Sequence, residues 1–259
     1  MDDFDSFFQR ASGLPQPFQW QRSLAQDLPG NRLIRIPTGF GKTLGVLSAW
    51  AWHRIHLQDQ QWPCRLVWCL PMRVLVEQTR DEVHSCLERL GLLWADDPTQ
   101  RDGRIGVHLL MGGADSGEWP LHPEHCAVLI GTQDMLLSRA MNRGYASPRA
   151  RWPMEFGLLN QDCLWVMDEV QLMDVGLATS GQLQAFREDD TAAGKIARPC
   201  FTWWMSATLQ LNWLARSPET ASLLAAMPET RIQQADRGGH LWDDVERSEE
   251  HTSELQSPC

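Results

Sequence analysis

The run Ile36-Pro37-Thr38-Gly39-Phe40-Gly41-Lys42-Thr43 restricts this chain's fold more than any other stretch. It follows a short apolar segment, Leu33–Ile36, that reads as a strand, and it opens a segment from Lys42 to Leu57 that reads as a helix. A glycine-rich turn between a strand and a helix N-terminus is where backbone N–H groups converge on phosphate. Gly39 and Gly41 free the backbone to turn inward beside Thr38. Lys42 supplies a compact cation for the β- and γ-phosphates, and the Thr43 hydroxyl is a ligand for magnesium. The bound species implied is therefore ATP with Mg2+. Lys42 is one of only two lysines, the other being Lys195, in a chain that otherwise uses arginine for positive charge. One departure stands out: Ile36 occupies the place of the first glycine in the longer phosphate-loop pattern.

A strand that feeds a helix in this way belongs to an α/β fold with a mainly parallel sheet flanked by helices. The rest of the chain reads accordingly. Apolar runs at Arg65–Leu70, Gly106–Met111, Ala127–Ile130, Cys163–Met167 and Phe201–Met205 are the remaining expected strands. Amphipathic stretches at Val74–Gly91, Gln133–Arg143, Leu177–Arg187 and Pro218–Met227 are the remaining expected helices. Residues 93–104, 144–162 and 188–199 read as loops.

A second motif, Asp168-Glu169-Val170-Gln171, ends the buried-strand pattern of Cys163–Met167. The strand is expected next to the phosphate-loop strand. There Asp168 can hold magnesium through water, and Glu169 can orient and deprotonate the attacking water, so Glu169 and Lys42 are the candidate catalytic residues. Another acidic pair, Asp81-Glu82, reads as a solvated helix face. Ser206-Ala207-Thr208 ends the strand at Phe201–Met205; by itself it is equally well a turn.

Composition limits the partners. A formal net charge of -10 excludes a surface that grips nucleic acid everywhere, because non-specific affinity comes from cations at phosphates. Any such site is local. The seven cysteines include no C-x-x-C pair, which points to reduced core thiols in a cytoplasmic protein rather than zinc ligands or disulfides. No apolar run approaches membrane-spanning length, so no membrane association is expected. Among the thirteen tryptophans, Trp165, Trp203 and Trp204 fall on core strands, and Trp152, beside Arg149 and Arg151, is the candidate for stacking on a base.

The three motifs, in this order and spacing, resemble those of superfamily 2 DExD/H helicases over about residues 15–215. The resemblance implies a RecA-like domain. It makes Phe18-Gln19-Trp20-Gln21 the adenine-reading element, with Gln21 pairing with the base, and gives Gln171, Ser206 and Thr208 the task of coupling hydrolysis to strand movement. It also makes three stretches strand-tracking motifs: Arg73 with Gln78 and Thr79, Gly112-Gly113, and Gly131-Thr132-Gln133-Asp134. Each has a structural alternative: a surface ion pair for Arg73, a turn for Gly112-Gly113, and a helix N-cap for Thr132.

Longer strings resemble the helicase-nuclease of type I CRISPR interference systems, in its I-U (I-G) branch. They are Cys69–Thr79, Gly131–Ala140, Asn142–Tyr145 and Trp165–Gln171. This resemblance implies single-stranded DNA and a CRISPR target-recognition complex as partners. Gln171 replaces the histidine usual in D-E-x-H, and no His-Asp dipeptide of the nuclease is present. The expected organisation is an N-terminal segment, 1–30, carrying the adenine-reading element, then a first RecA-like domain, 31–229. Residues 230–246 begin a linker to a missing second domain. Residues 247–259 resemble a translated sequencing adapter and are expected to be disordered. An unrelated phosphate-loop kinase and a non-catalytic nucleotide-binding fragment are the alternatives.

Overall fold

The computed structural model describes residues 3–94, 101–112, 118–208, 214–215, 218–225, 227–238 and 242. Gly113 and the stretch 247–259 lie outside these residues. The strands are β1 (Arg32–Arg35), β2 (Arg65–Leu70), β3 (Gly106–Leu110), β4 (Ala127–Thr132), β5 (Cys163–Met167), β6 (Phe201–Ser206) and β7 (Glu229–Arg231). They form one sheet in the order β3-β4-β2-β5-β6-β1-β7, with every pairing parallel. Parallel strands need crossovers that cover both faces, which is why β5 and, after Arg65, β2 are apolar and both strands are buried at every position.

Helices α1 (Phe4–Ser12), α2 (Gln19–Leu24), α3 (Lys42–Ala51) and α4 (Arg73–Arg89) cover one face, where Phe7, Trp20, Val46 and Val76 meet Ile34, Trp68 and Val166. The other face carries α5 (Gln133–Ala140), α6 (Trp152–Leu159), α7 (Val175–Ala192) and α8 (Pro218–Ala225), packed on Val67, Leu129 and Trp165. Trp165, Trp203 and Trp204 lie in these cores. The six cysteines among the described residues are free thiols, and only Cys126 is not fully buried.

Five elements differ from the sequence reading. The expectation of a loop over 144–162 is corrected by α6, which begins Trp152-Pro153, where the missing proline N–H is harmless at a helix start. α7 runs on to Ala192. β7 has no apolar run and exists through its pairing with β1. α1 and α2 were not anticipated, and α2 has no side-chain cap from Phe18. Instead the Asp236 carboxylate accepts the N–H groups of Gln19 and Trp20 at 2.6 and 3.0 Å. No helix among the described residues is long and apolar enough to cross a membrane.

Candidate functional site

The C-terminal edge of a parallel sheet is where crossover loops converge. The phosphate loop leaves β1 there. Gly39 and Gly41 both take positive φ, +91° and +65°. Gly41 is the left-handed N-cap of α3, so the helix opens directly on the loop, with Thr38 and Gly39 exposed. Phe40 is buried against Phe18 at 5.3 Å between ring centroids, which anchors the loop to α2.

Lys42, in the first turn of α3, is buried and donates to Glu169 Oε1 at 2.9 Å. Asp168 and Glu169 follow β5. Contrary to the expectation that β5 lies next to β1, β6 runs between them. β5 and β6 pair through Leu164–Met167 and Phe201–Trp204, and the Lys42–Glu169 hydrogen bond joins the loops of two strands that do not pair. The Asp168 carboxylate accepts from the Trp68 indole at 3.2 Å and from the Glu169 backbone N–H at 2.9 Å. Burial pushes its carboxyl up to about 6, against the opposing pull of Lys42. For Glu169 burial also acts upward, but the Lys42 ammonium and the hydrogen bonds from Gln171 and Lys42 outweigh it and leave the carboxyl below its ordinary value.

Glu169 Oε2 accepts from Gln171 Nε2 at 2.6 Å, and Gln171 Oε1 accepts from Ser206 Oγ at 2.7 Å. Ser206 Oγ in turn accepts the Thr208 N–H at 3.0 Å. Lys42, Glu169, Gln171, Ser206 and Thr208 thus form one continuous chain of polar contacts across three loops. Gln171, the residue that departs from the helicase pattern, is its central link, because an amide donates at one end and accepts at the other.

Gln21 also reaches the loop, though not with a free amide. It is 1% exposed; Nε2 donates to the Gly41 carbonyl at 2.9 Å and Oε1 accepts from the Phe18 N–H at 2.9 Å. Glu82 was missed as a site neighbour. It is half-buried rather than solvated and hydrogen-bonds Thr43; burial raises its carboxyl, and the Thr43 bond offsets only part of that. Its position one face-repeat after Thr79 on α4 is the only sequence signal for it.

The proposed strand-tracking residues follow the neighbouring strands. Arg73 and Gln78 are exposed after β2, Gly112 is exposed after β3, and Thr132 ends β4 as the half-buried N-cap of α5. Since β3, β4 and β2 are adjacent, these residues occupy one half of the edge, and the phosphate loop, Asp168, Glu169 and Ser206 occupy the other. Thr79 is a correction. It is 6% exposed because it shares the inward face of α4 with Val76, Val83 and Cys86, so it is not presented to a strand. Trp152 is another: its indole donates to the Ser147 carbonyl at 2.9 Å and its ring rests on Gly144, so the side chain is engaged in holding its own loop.

The family model described as DEAD/DEAH box helicase matches residues 18–216. No curated protein matches the sequence. Similar solved structures include the DUF1998 helicase MrfA bound to DNA and AMPPNP, at a TM-score of 0.59 and 17% identity over 91% of this chain and 30% of that one. The DEAD-box helicase Mss116, bound to ssRNA and UDP-BeF, gives a TM-score of 0.57 at 16% identity, covering 90% of this chain and 43% of that one. The yeast DEAD-box splicing factor Prp28 gives 0.51 at 18%, covering 85% of this chain and 46% of that one. At these identities the likeness is one of fold, that of a RecA-like helicase domain. The chain spans less than half the length of each of these proteins.

Proposed function

Because the chain belongs to the DEAD/DEAH box helicase family, we propose that it is the first motor domain of an ATP-dependent translocase on single-stranded DNA, acting in type I CRISPR interference. The observation that carries the motor part is the polar chain from Lys42 through Glu169 and Gln171 to Ser206 and Thr208. It joins the phosphate loop to the loop after β6, the link a motor needs between hydrolysis and movement.

The residues fit a magnesium nucleotide. Asp168 is a buried carboxylate whose charge is under-compensated, and the glycine turn exposes Thr38 and Gly39 beside the α3 N-terminus. Magnesium, when bound, neutralises charge on the transferring phosphoryl group. Lys42 would hold the β- and γ-phosphates with Thr38, Gly39 and Gly41, while Thr43 and Asp168 would hold the metal. Glu169 must leave Lys42 to accept a proton from water, and its lowered carboxyl keeps it ionised for that purpose. Gln21 would read adenine after giving up the Gly41 carbonyl or the Phe18 N–H.

The DNA and CRISPR assignments are supported by the strings Cys69–Thr79, Gly131–Ala140, Asn142–Tyr145 and Trp165–Gln171, and a DNA-bound neighbour, MrfA, is compatible with them. The partners on this reading are single-stranded DNA and a CRISPR target-recognition complex. Residues 1–30 would carry the adenine-reading element, 31–229 the first RecA-like domain, and 230–246 the start of the linker. A second domain would supply the arginine that meets the γ-phosphate, worth roughly 10³ to 10⁵ in rate.

The test is ATP turnover, with and without single-stranded DNA, in protein that includes the second domain. DNA should stimulate it. Lys42→Ala and Asp168→Ala should each abolish it, and Glu169→Gln should retain nucleotide without turning it over. Wild-type turnover in Glu169→Gln would refute the assignment of the base.

A further inference from the structure

The string Asn142–Tyr145 has no task in the nucleotide site, yet the fold invests heavily in its conformation. Asn142, Gly144 and Ala146 all take positive φ, at 57°, 48° and 57°, a region that L side chains adopt at a cost. A Cβ on Gly144 would lie 2.0 Å from the Trp152 ring, so only glycine fits. Below the loop, Arg139 and Glu155 form an ion pair buried at both ends, 3.1 Å apart, and Glu155 Oε1 also accepts from Ser147 Oγ at 2.9 Å. A buried pair contributes little net stability, but breaking one partner is expensive, so it holds its surroundings to a single arrangement. The outward product of this scaffold is Tyr145, the chain's single tyrosine, 63% exposed.

Tyr145 lines a cleft of about 630 Å³ between α5 and α7. Gln133 and Asp134, directly after Thr132, line one wall, and Asp174 and Thr179 of the α7 N-terminal region line the other. Met141, Met173 and Val175 complete an apolar surround. Asp134 and Asp174 are exposed carboxylates, which repel phosphate and accept from N–H donors. A flat ligand with amino donors that arrives beside Thr132 satisfies all of this: an aromatic face for stacking, carboxylates for hydrogen bonds, and the exposed Arg143 of the same loop for a backbone phosphate.

We propose that this cleft takes one unstacked, amino-bearing nucleobase of the tracked strand, stacked on Tyr145 and read by Asp134 and Asp174. The proposal rests on the strand-tracking reading above and adds to it a base-binding site with a preference, since thymine lacks the exocyclic amine that cytosine presents.

The experiment is fluorescence anisotropy of labelled oligo(dC) and oligo(dT) with the wild-type protein, Tyr145→Ala, Tyr145→Phe, the double variant Asp134→Asn/Asp174→Asn, and Arg73→Ala. All the altered side chains are exposed, and an unchanged thermal melt confirms the fold of each variant. Wild type should prefer oligo(dC), Tyr145→Ala should weaken oligo(dC) binding by roughly tenfold or more, and Tyr145→Phe should retain it. The double variant should lose the preference, whereas Arg73→Ala should weaken both oligonucleotides alike. Equal binding of oligo(dC) by wild type and Tyr145→Ala overturns the proposal while leaving strand tracking intact if Arg73→Ala still weakens both. If wild type binds neither oligonucleotide, the strand-tracking reading fails and takes the proposal with it. If the Tyr145 and aspartate variants instead abolish binding of an arginine-rich peptide and leave DNA binding untouched, the cleft is a protein-docking site and the proposal is wrong.

Discussion

Asp168 shows what one buried carboxylate does before any nucleotide arrives. Its folded-state value, about 6, lies above the ordinary 3.8, so the folded protein holds the proton more tightly than the unfolded chain does. The associated stability is present below the ordinary value and is lost as pH rises through the folded one. From pH 4 to 6, wild-type stability should therefore fall relative to that of Asp168→Asn, by on the order of 2 kcal/mol. Melting curves of both proteins across that range provide the check, and a difference that does not change with pH would rule the account out. The comparison is insensitive to the hydrogen bond that asparagine loses, because that offset is constant with pH. A bound divalent cation should abolish the slope.

At the level of elements, α2 is held in place from the far end of the described chain. The Asp236 carboxylate caps it 217 residues away from Gln19, and Gln233 Nε2 donates to Ser23 Oγ at 2.7 Å. α2 carries Gln21, which touches the phosphate loop through Gly41, so the segment after β7 governs how the proposed adenine-reading element sits. Asp236→Ala leaves two first-turn N–H groups without their partner and should cost about 1–2 kcal/mol in unfolding free energy. Denaturant unfolding measures this. Hydrogen exchange should quicken most in 19–24 and in the phosphate loop. Unchanged exchange in the loop would show that α2 and Gly41 are not mechanically linked.

For the whole molecule, net charge and sheet order together limit the proposed strand-binding surface. With -10 overall, the proposed strand contacts would come from N–H groups, hydroxyls and a few arginines such as Arg73 rather than from a basic field. Each cationic phosphate contact contributes a slope of about -0.7 in log affinity against log salt for a single strand. Affinity for single-stranded DNA should therefore fall by less than about tenfold between roughly 50 and 200 mM salt. Arg73→Ala should flatten the plot by about 0.7. A loss of several hundredfold over that range would mean that an unrecognised basic surface dominates.

Much of this was legible along the chain because it is local. A phosphate-loop pattern needs adjacent glycines, lysine and threonine, and strands buried on both faces need nearly unbroken apolar runs, so six of the strands, and the candidate residues Thr38–Thr43, Asp168 and Glu169 at strand ends, could be read directly. The rest depends on which segments meet, and no local pattern encodes that. Only the tertiary structure inserts β6 between β1 and β5, pairs Lys42 with Glu169, makes Gln171 the link to Ser206, turns Thr79 inward and brings Asp236 to α2. It also hands the exposed aromatic position from Trp152, whose ring is needed against Gly144, to Tyr145. The residue types capable of the chemistry are set by covalent structure. Which of them face one another is set by the sheet order and helix faces that bury the most apolar surface at once.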